Sequence, residues 1–236
     1  MRIFLAGVIG RRLAVLLRDA GHEVTGTTRT PAKIPMLRAL GTVPVVVDVF
    51  DADALTAAVA AARPDLMIHQ LTDLPSAPGT PGYAAAQEAN RALRIEGTRN
   101  LMRAADMAGV RRAIGQSIAF VYAPGEGTRV EDYPLDLATA GVRQLTVQGI
   151  AALEREVLQT PGIDGVVLRY GYLYGPDTWY DAPPKPPSVH VDAAAHAALL
   201  AVNRGAGVYN IAEDDGAVSV AKAKRELDFD SAFRMA

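Results

Sequence analysis

The sequence predicts a doubly wound α/β fold, in which helices cover both faces of a parallel β-sheet. Short apolar runs alternate with helical patterns along residues 1–169. Several of these runs are almost continuously apolar, which is typical of parallel strands that are buried on both faces. Because crossovers between parallel strands are right-handed, the simplest arrangement is a sheet with the strand order 3-2-1-4-5-6.

Six strands are predicted from short apolar or β-branched runs. They cover residues 2–6, 22–28, 43–47, 65–70, 110–116 and 165–169. Helices between them are predicted from apolar residues at helical spacing, with Asp51 as a helix start and Gly109 as a helix stop. They cover residues 11–20, 31–40, 51–62, 83–108 and 139–159.

The last part of the chain, residues 170–236, has a different character. Residues 170–187 are rich in Tyr, Gly and Pro and predict an irregular loop. A helix, a strand and a final helix are predicted after it, over residues 192–202, 207–211 and 218–227. This segment is too small to be an independent domain. We therefore expect one large domain over residues 1–169 and a small segment that folds over the open edge of the sheet.

The composition excludes several classes of site. The net charge is −2 and no long basic run exists, so we expect no nucleic-acid partner. The chain has no cysteine, which excludes disulfides and thiolate catalysis, and its four scattered histidines predict no metal site. The first apolar run stops at Arg11 and Arg12, and no run approaches the roughly 20 apolar residues of a membrane span. We expect a soluble cytoplasmic protein with a small-molecule substrate and no membrane partner.

Eight local patterns follow one another over nearly the whole chain. They are GVIG, VVVDVFD, DLMIHQLT, EGTRNLMRAADMAGVRR, QSIAFVYAP, LRYGYLYGP, PSVHVDAAAHAALLA and YNIAE. In this order they resemble the NAD-dependent epimerase/dehydratase group of extended short-chain dehydrogenase/reductases. The resemblance implies a Rossmann dinucleotide-binding domain over residues 1–169, with NAD(P) across the carboxyl ends of its strands. It also makes residues 170–236 a substrate-capping segment.

The turn after the first strand departs from the family pattern. The family has three glycines, as G-x-x-G-x-x-G, whereas only Gly7 and Gly10 are present here. Either the turn is truly shortened, which would impair pyrophosphate binding, or residues of a longer loop are missing from the sequence. A plain tight turn with no phosphate role would also have these two glycines.

The choice between the two dinucleotides depends on the end of the second strand. An acidic residue there would hold the ribose hydroxyls of NAD, but this chain has Arg29 among threonines, with Lys33 nearby. A basic residue suits the 2′-phosphate, so we expect NADP to be preferred over NAD. Alternatively, Arg29 and Lys33 are only solvated loop charges. The resemblance implies further cofactor contacts at Asp48, Val49, Leu71, Thr72 and Tyr170.

The positions of the family's catalytic residues hold other residue types. The family uses a Tyr and a Lys four residues apart, and alignment on Glu154 places Thr146 and Ile150 there. Neither side chain can donate a proton near neutral pH. Ser117 and Tyr122 are the remaining catalytic candidates, at or near the end of the fifth strand. The resemblance implies substrate contacts at Arg94, Tyr172, Tyr174 and His190, with Arg94 in place of the family's Asn.

Two functions follow from this pattern. The first is an atypical oxidoreductase or epimerase that acts on a small hydroxyl or carbonyl compound, with sugar nucleotides as one option. The second is a protein that binds the dinucleotide as a sensor or regulator without turnover. The fold favours the enzyme, whereas the residues at the Tyr and Lys positions favour the sensor.

Overall fold

A seven-stranded parallel sheet forms the centre of the molecule in the computed structural model, which describes residues 1–7, 10–73 and 80–235. Nine strands are described in all. They are β1 (Arg2–Gly7), β2 (Glu23–Thr28), β3 (Val43–Val46), β4 (Leu66–Gln70), β5 (Arg112–Ile118), β6 (Asp164–Tyr170), β7 (Tyr172–Tyr174), β8 (Ser188–His190) and β9 (Gly207–Ile211).

Eight α-helices are described in the same ranges. They are α1 (Gly10–Asp19), α2 (Ile34–Ala39), α3 (Ala52–Ala62), α4 (Tyr83–Ala92), α5 (Thr98–Met107), α6 (Val142–Gln159), α7 (Val191–Leu200) and α8 (Ala221–Leu227). A 3-10 turn, Pro31–Lys33, precedes α2, and a π-helical turn, Leu93–Gly97, joins α4 to α5. No helix of the described part is both long and apolar enough to cross a bilayer.

The strand order confirms the predicted doubly wound sheet. It is β3-β2-β1-β4-β5-β6-β9, and every neighbouring pair is parallel. Strand β9 pairs with β6, with Leu168 opposite Tyr209. It adds a seventh strand to the six that were predicted for residues 1–169. The carboxyl-terminal segment thus contributes a strand to the main sheet. Strands β7 and β8 form a separate parallel pair.

Both faces of the sheet are covered by apolar layers. Along β1, Ile3 and Leu5 point into one layer, and Phe4 and Ala6 point into the other, as the period of two requires. Helices α1, α7 and α8 cover the first face, whereas α3, α5 and α6 cover the second. This arrangement leaves the carboxyl ends of the strands as the edge at which ligands bind in such folds.

Local signals set several boundaries. The Asp51 side chain accepts a hydrogen bond from the Ala54 backbone N–H at 3.0 Å, so it caps α3 as expected. The long helix predicted over residues 83–108 is divided by the π-helical turn, which apolar spacing alone does not indicate. The segment predicted to be an irregular loop contains β7, which pairs with the distant β8.

Candidate functional site

A cleft of about 410 Å³ opens at the carboxyl ends of the first four strands. This is the crevice at which open parallel sheets bind nucleotides. The cleft brings together six of the residues that the sequence predicted to bind the cofactor. These are Gly7, Arg29, Asp48, Val49, Leu71 and Thr72.

The backbone of Gly7 passes very close to strand β4. Its φ is +118°, and a Cβ at this position would lie 2.2 Å from the carbonyl carbon and oxygen of Gln70. Only glycine fits there, because any side chain would clash with the backbone of β4. Gly10 begins α1. Val8 and Ile9 are outside the described residues. The two alternatives for this turn, a true shortening and a missing loop, therefore also lie outside them.

Tyr170 is in a different position from the other predicted cofactor residues. Its side chain is buried in the core below the strand ends, and Gln70 Nε2 donates to its hydroxyl at 3.4 Å. Burial raises the pKa of Tyr170 above its ordinary value. The hydroxyl is therefore neutral at physiological pH and is not among the groups that line the cleft.

The rim of the cleft is rich in cations and hydroxyl groups. Arg29 forms an ion pair with Asp73, with 3.0 Å between Nη2 and Oδ2, and more than half of the Arg29 side chain is exposed. Arg11 and Lys33 also line the cleft. Sequence reasoning did not identify Arg11 or Asp73 as cleft residues. Their positions in the chain could have indicated the cleft, since Arg11 lies in the first turn of α1 and Asp73 follows β4 by three residues.

Ser117 and Tyr122 belong to one buried polar network. Ser117 Oγ donates to Glu154 Oε1 at 2.6 Å, and Glu154 accepts two further hydrogen bonds from Arg169, at 2.7 and 2.8 Å. Arg169 also donates to the Tyr122 hydroxyl at 2.9 Å, which in turn donates to Asn210 Oδ1 at 2.6 Å. Burial raises the pKa of Tyr122. These contacts favour a structural role for both residues over the catalytic role considered from the sequence.

Thr146 and Ile150, the α6 residues that the sequence analysis aligned with the family's Tyr and Lys, differ in their surroundings. Ile150 is fully buried and packs with Ile118 and Val121. Thr146 Oγ1 donates a hydrogen bond to Gln87 Oε1 of α4 at 2.8 Å. Neither contact prepares a group for proton transfer near neutral pH.

Arg94 is a buried cation at the π-helical turn, with only 5% of its surface exposed. Within the described residues it makes no hydrogen bond or ion pair. Its stem lies over α6, because a Cβ at Gly149 would be 3.2 Å from Arg94 Cδ. Burial lowers the pKa of Arg94 to about 10, so the guanidinium is still charged at neutral pH.

One tyrosine, Tyr83, interacts with this cation, and further aromatic side chains are near that tyrosine. Tyr83 interacts electrostatically with Arg94, Tyr172 and Tyr180, and burial raises the pKa of Tyr83 while Arg94 opposes that rise. Tyr172 stacks on Phe120, with 4.0 Å between ring centroids and 4° between planes. We call Tyr83, Arg94, Tyr172 and Tyr180 the Arg94 cluster. Arg94 also acts electrostatically on His69, whose ring accepts a hydrogen bond from the Leu71 N–H, and Leu71 lines the cofactor cleft.

Tyr174 and His190 lie together, away from the Arg94 cluster. Their rings meet edge to face at 5.1 Å, and Tyr174 donates to Glu213. His190 Nδ1 accepts a hydrogen bond from the Asp192 backbone N–H at 3.2 Å and so caps α7. The described residues contain no group of three or more His, Cys, Asp or Glu side chains that could hold a metal ion.

Comparisons with known proteins agree with this geometry. A family model described as NAD(P)H-binding matches residues 6–190. A 3-diazoavenalumate denitrifying reductase from Streptomyces sp. is 39% identical over 243 residues, which covers 92% of this chain and 77% of the relative.

Solved structures resemble the whole chain. One is the UDP-glucose 4-epimerase of Thermotoga maritima with UDP-glucose, at a TM-score of 0.76 and 16% identity, covering 99% of this chain and 94% of the other. Another is the UDP-glucuronic acid 4-epimerase of Bacillus cereus in complex with NAD, at a TM-score of 0.72 and 18% identity, with 99% and 94% covered. At these identities the likeness shows the fold.

Proposed function

The chain belongs to the NAD(P)H-binding family. From this premise we propose that it is a reductase that uses NAD(P)H to reduce a small electrophilic molecule. The observation that carries the proposal is the cleft at the strand ends, where six residues chosen from the sequence meet. The Streptomyces relative, which is a reductase, supports the direction of the reaction.

The residues present fit a dinucleotide. Gly7 lets the end of β1 lie against β4, where any Cβ would meet the backbone of Gln70, and it comes just before the amino-terminal end of α1, where backbone N–H groups suit phosphates. Val49 and Leu71 offer apolar contacts along the cleft, and Asp48 and Thr72 offer polar ones. In this proposal, Gly7 and Gly10 bind the pyrophosphate and the other cleft residues hold the adenosine half.

We further propose that NADPH is the preferred form. Arg29, Thr28, Thr30 and Lys33 all line the rim at the end of β2. A guanidinium forms paired hydrogen bonds with a phosphate, and hydroxyls add single ones. The Arg29–Asp73 ion pair is largely exposed, and exposed pairs contribute little, so a 2′-phosphate can replace the Asp73 carboxylate at low cost.

The substrate we favour is one whose reduction needs no proton from the protein. When bound, NAD(P)H supplies hydride, and hydride added to a carbon that bears a diazonium group forms the C–H bond while nitrogen leaves as N₂ with the electrons of the C–N bond. Thr146 and Ile150 could not serve as an acid and its activating cation, and such a reaction does not require them. The diazo compound in the relative's name supports this choice.

The test is a turnover assay with purified protein and NADPH. Aromatic diazonium compounds, aldehydes and UDP-sugars are compared by the loss of nicotinamide absorbance and, for the first class, by the yield of N₂. We expect NADPH oxidation and N₂ release in equal amounts with a diazonium compound. Gly7→Ala should abolish turnover, whereas Gly21→Ala, which also has positive φ but open space around it, should keep it. Oxidation with none of the three classes would overturn the proposal.

A dinucleotide sensor is the second candidate. Its supporting observation is that Ser117 and Tyr122 are engaged in the Arg169 network. Tight binding of NADPH by calorimetry, together with no turnover of any compound in the panel, would favour the sensor.

A further inference from the structure

Arg94 carries a buried positive charge that forms no ion pair with any residue that the structure describes. The contrast is with Arg169, which is equally buried but forms a 2.7 Å ion pair with Glu154. Among the described residues, the only ionisable group that favours the charged form of Arg94 is the phenol of Tyr83, which is itself neutral at physiological pH. A buried charge without a partner is costly, so proteins seldom keep one without a use for it.

The missing counter-ion cannot come from the rest of the chain's acidic side chains. Residues 8–9, 74–79 and 236 are outside the described ranges, and none of them is Asp or Glu. Every acidic side chain therefore lies in the described part, and no ion pair joins any of them to Arg94 there. An anionic ligand would supply the negative charge that no acidic side chain provides.

The surroundings of Arg94 indicate the shape of that ligand. Tyr83 interacts with the guanidinium, Tyr172 and Tyr180 are near Tyr83, and Phe120 stacks on one face of Tyr172. Aromatic rings pack well against aromatic side chains, and a planar guanidinium pairs with a carboxylate through two parallel hydrogen bonds. Lys185 Nζ, 5.0 Å from the centroid of Tyr172, adds a second positive charge.

We propose that Arg94 binds the carboxylate of an aromatic substrate whose ring packs among the tyrosines of the Arg94 cluster. The inference rests on the proposed reductase function and names the substrate class for it. Arg94 acts on His69, which is hydrogen-bonded to Leu71 of the cofactor cleft, and the Arg94 stem lies over Gly149, next to the α6 positions that the family uses for chemistry. Arg94 is in this account a substrate-binding residue that fixes the orientation of the ring.

Calorimetric titration of the NADP-saturated protein with trans-cinnamate and with the neutral trans-cinnamamide tests the proposal. We expect the wild-type protein to bind cinnamate at least about tenfold more tightly, because a charge-assisted pair with a desolvated guanidinium is lost in the amide. Arg94→Met should remove the difference, and Arg94→Lys should keep part of it. Arg91→Met is the matched control, since Arg91 is one turn away and pairs with Glu88 outside the cluster. It should bind both compounds as the wild type does.

Several results would overturn the inference. They are equal affinity for the two compounds, binding of neither, or discrimination that survives in a folded Arg94→Met protein. If Arg94→Met weakened the binding of uridine monophosphate but not the binding of cinnamate, the site would be assigned to a phosphate instead. NADPH oxidation without discrimination between cinnamate and cinnamamide would support the reductase proposal and contradict the role of Arg94 in carboxylate binding. Discrimination without NADPH oxidation would support the role of Arg94 and contradict the reductase proposal.

Discussion

Arg29 and Asp73 form a 3.0 Å ion pair between the end of β2 and the segment after β4, on the rim of the cofactor cleft. The pair connects the two sides of the cleft. A phosphate that binds Arg29 has to compete with the Asp73 carboxylate. Cofactor selectivity is therefore expected to depend on both residues.

Arg29→Asp should reverse the preference between the cofactors. The variant loses the cation that would bind the 2′-phosphate and gains an acceptor for ribose hydroxyls. We expect NADPH binding to weaken by about tenfold or more and NADH binding to strengthen, as measured by calorimetry. Arg99→Asp, at an exposed position of α5, is the control and should change neither affinity. Equal affinity of the wild type for both cofactors would contradict the prediction.

Thr146→Ala should leave turnover nearly unchanged. The hydroxyl contacts Gln87 and has no acidity near neutral pH. We expect kcat to fall by less than about tenfold in a steady-state assay. A fall of more than about 100-fold, the lower end of acid–base contributions, would show that Thr146 takes part in proton transfer.

Glu154→Gln should strongly destabilise the protein. The change removes the charge that compensates Arg169 and leaves that guanidinium buried among Tyr122, Ser117 and an amide. We expect a loss of about 3–5 kcal/mol in the free energy of unfolding, measured with urea. Glu156→Gln is the control, because Glu156 forms a longer, more exposed pair with Arg155 and should cost less than about 1 kcal/mol. A similar loss for both variants would argue against the network.

His69 should make stability fall in mild acid. Its ring bonds to Thr98 and to the Leu71 N–H, and burial, with a smaller effect of Arg94, lowers its pKa to about 3 from 6.5. Between these values the unfolded chain binds a proton that the folded protein does not, so the free energy of unfolding rises with pH by at most about 1.4 kcal/mol per unit.

The measurement is urea unfolding at several pH values within that window. His69→Asn should reduce the slope of stability against pH. His22→Asn should leave it almost unchanged, because His22 is only partly buried. An unchanged slope in a folded His69→Asn protein would contradict the prediction.

Arg94→Met should stabilise the protein without ligand. The variant keeps an apolar stem over Gly149 and removes an uncompensated buried charge. We expect the free energy of unfolding to increase by about 1 kcal/mol or more. Arg91→Met should change it by less than about 0.5 kcal/mol, as is usual for a surface pair. Destabilisation by Arg94→Met would mean that the guanidinium has a partner in the free protein.

The fold was largely predictable because local patterns and connection rules agree. Alternation of runs, the Asp51 cap and the right-handed crossover together give the order of the first six strands. The cofactor cleft followed from the same rules, since carboxyl ends of parallel strands meet at one edge. The pairing of β9 with β6 was not predictable, because the sequence of Gly207–Ile211 contains no local signal for the strand that it pairs with.

The polar part of the site could not be read from the sequence for a related reason. Ser117, Glu154, Arg169 and Asn210 come from four different elements, and their contacts depend on three-dimensional packing. The same holds for Arg94, whose importance comes from the absence of a carboxylate near it in the described structure. A sequence shows which side chains are charged, but the packing of the folded chain decides which of them form ion pairs.

The position of β9 also bears on synthesis of the protein. Strand β6 is complete once residue 170 has been made, but its outer edge has no partner until Gly207–Ile211 leave the ribosome. An unpaired apolar edge is a template for pairing with another chain. A nascent chain released before residue 207 would therefore expose β6 to intermolecular pairing, and aggregation is the expected fate of such truncated products.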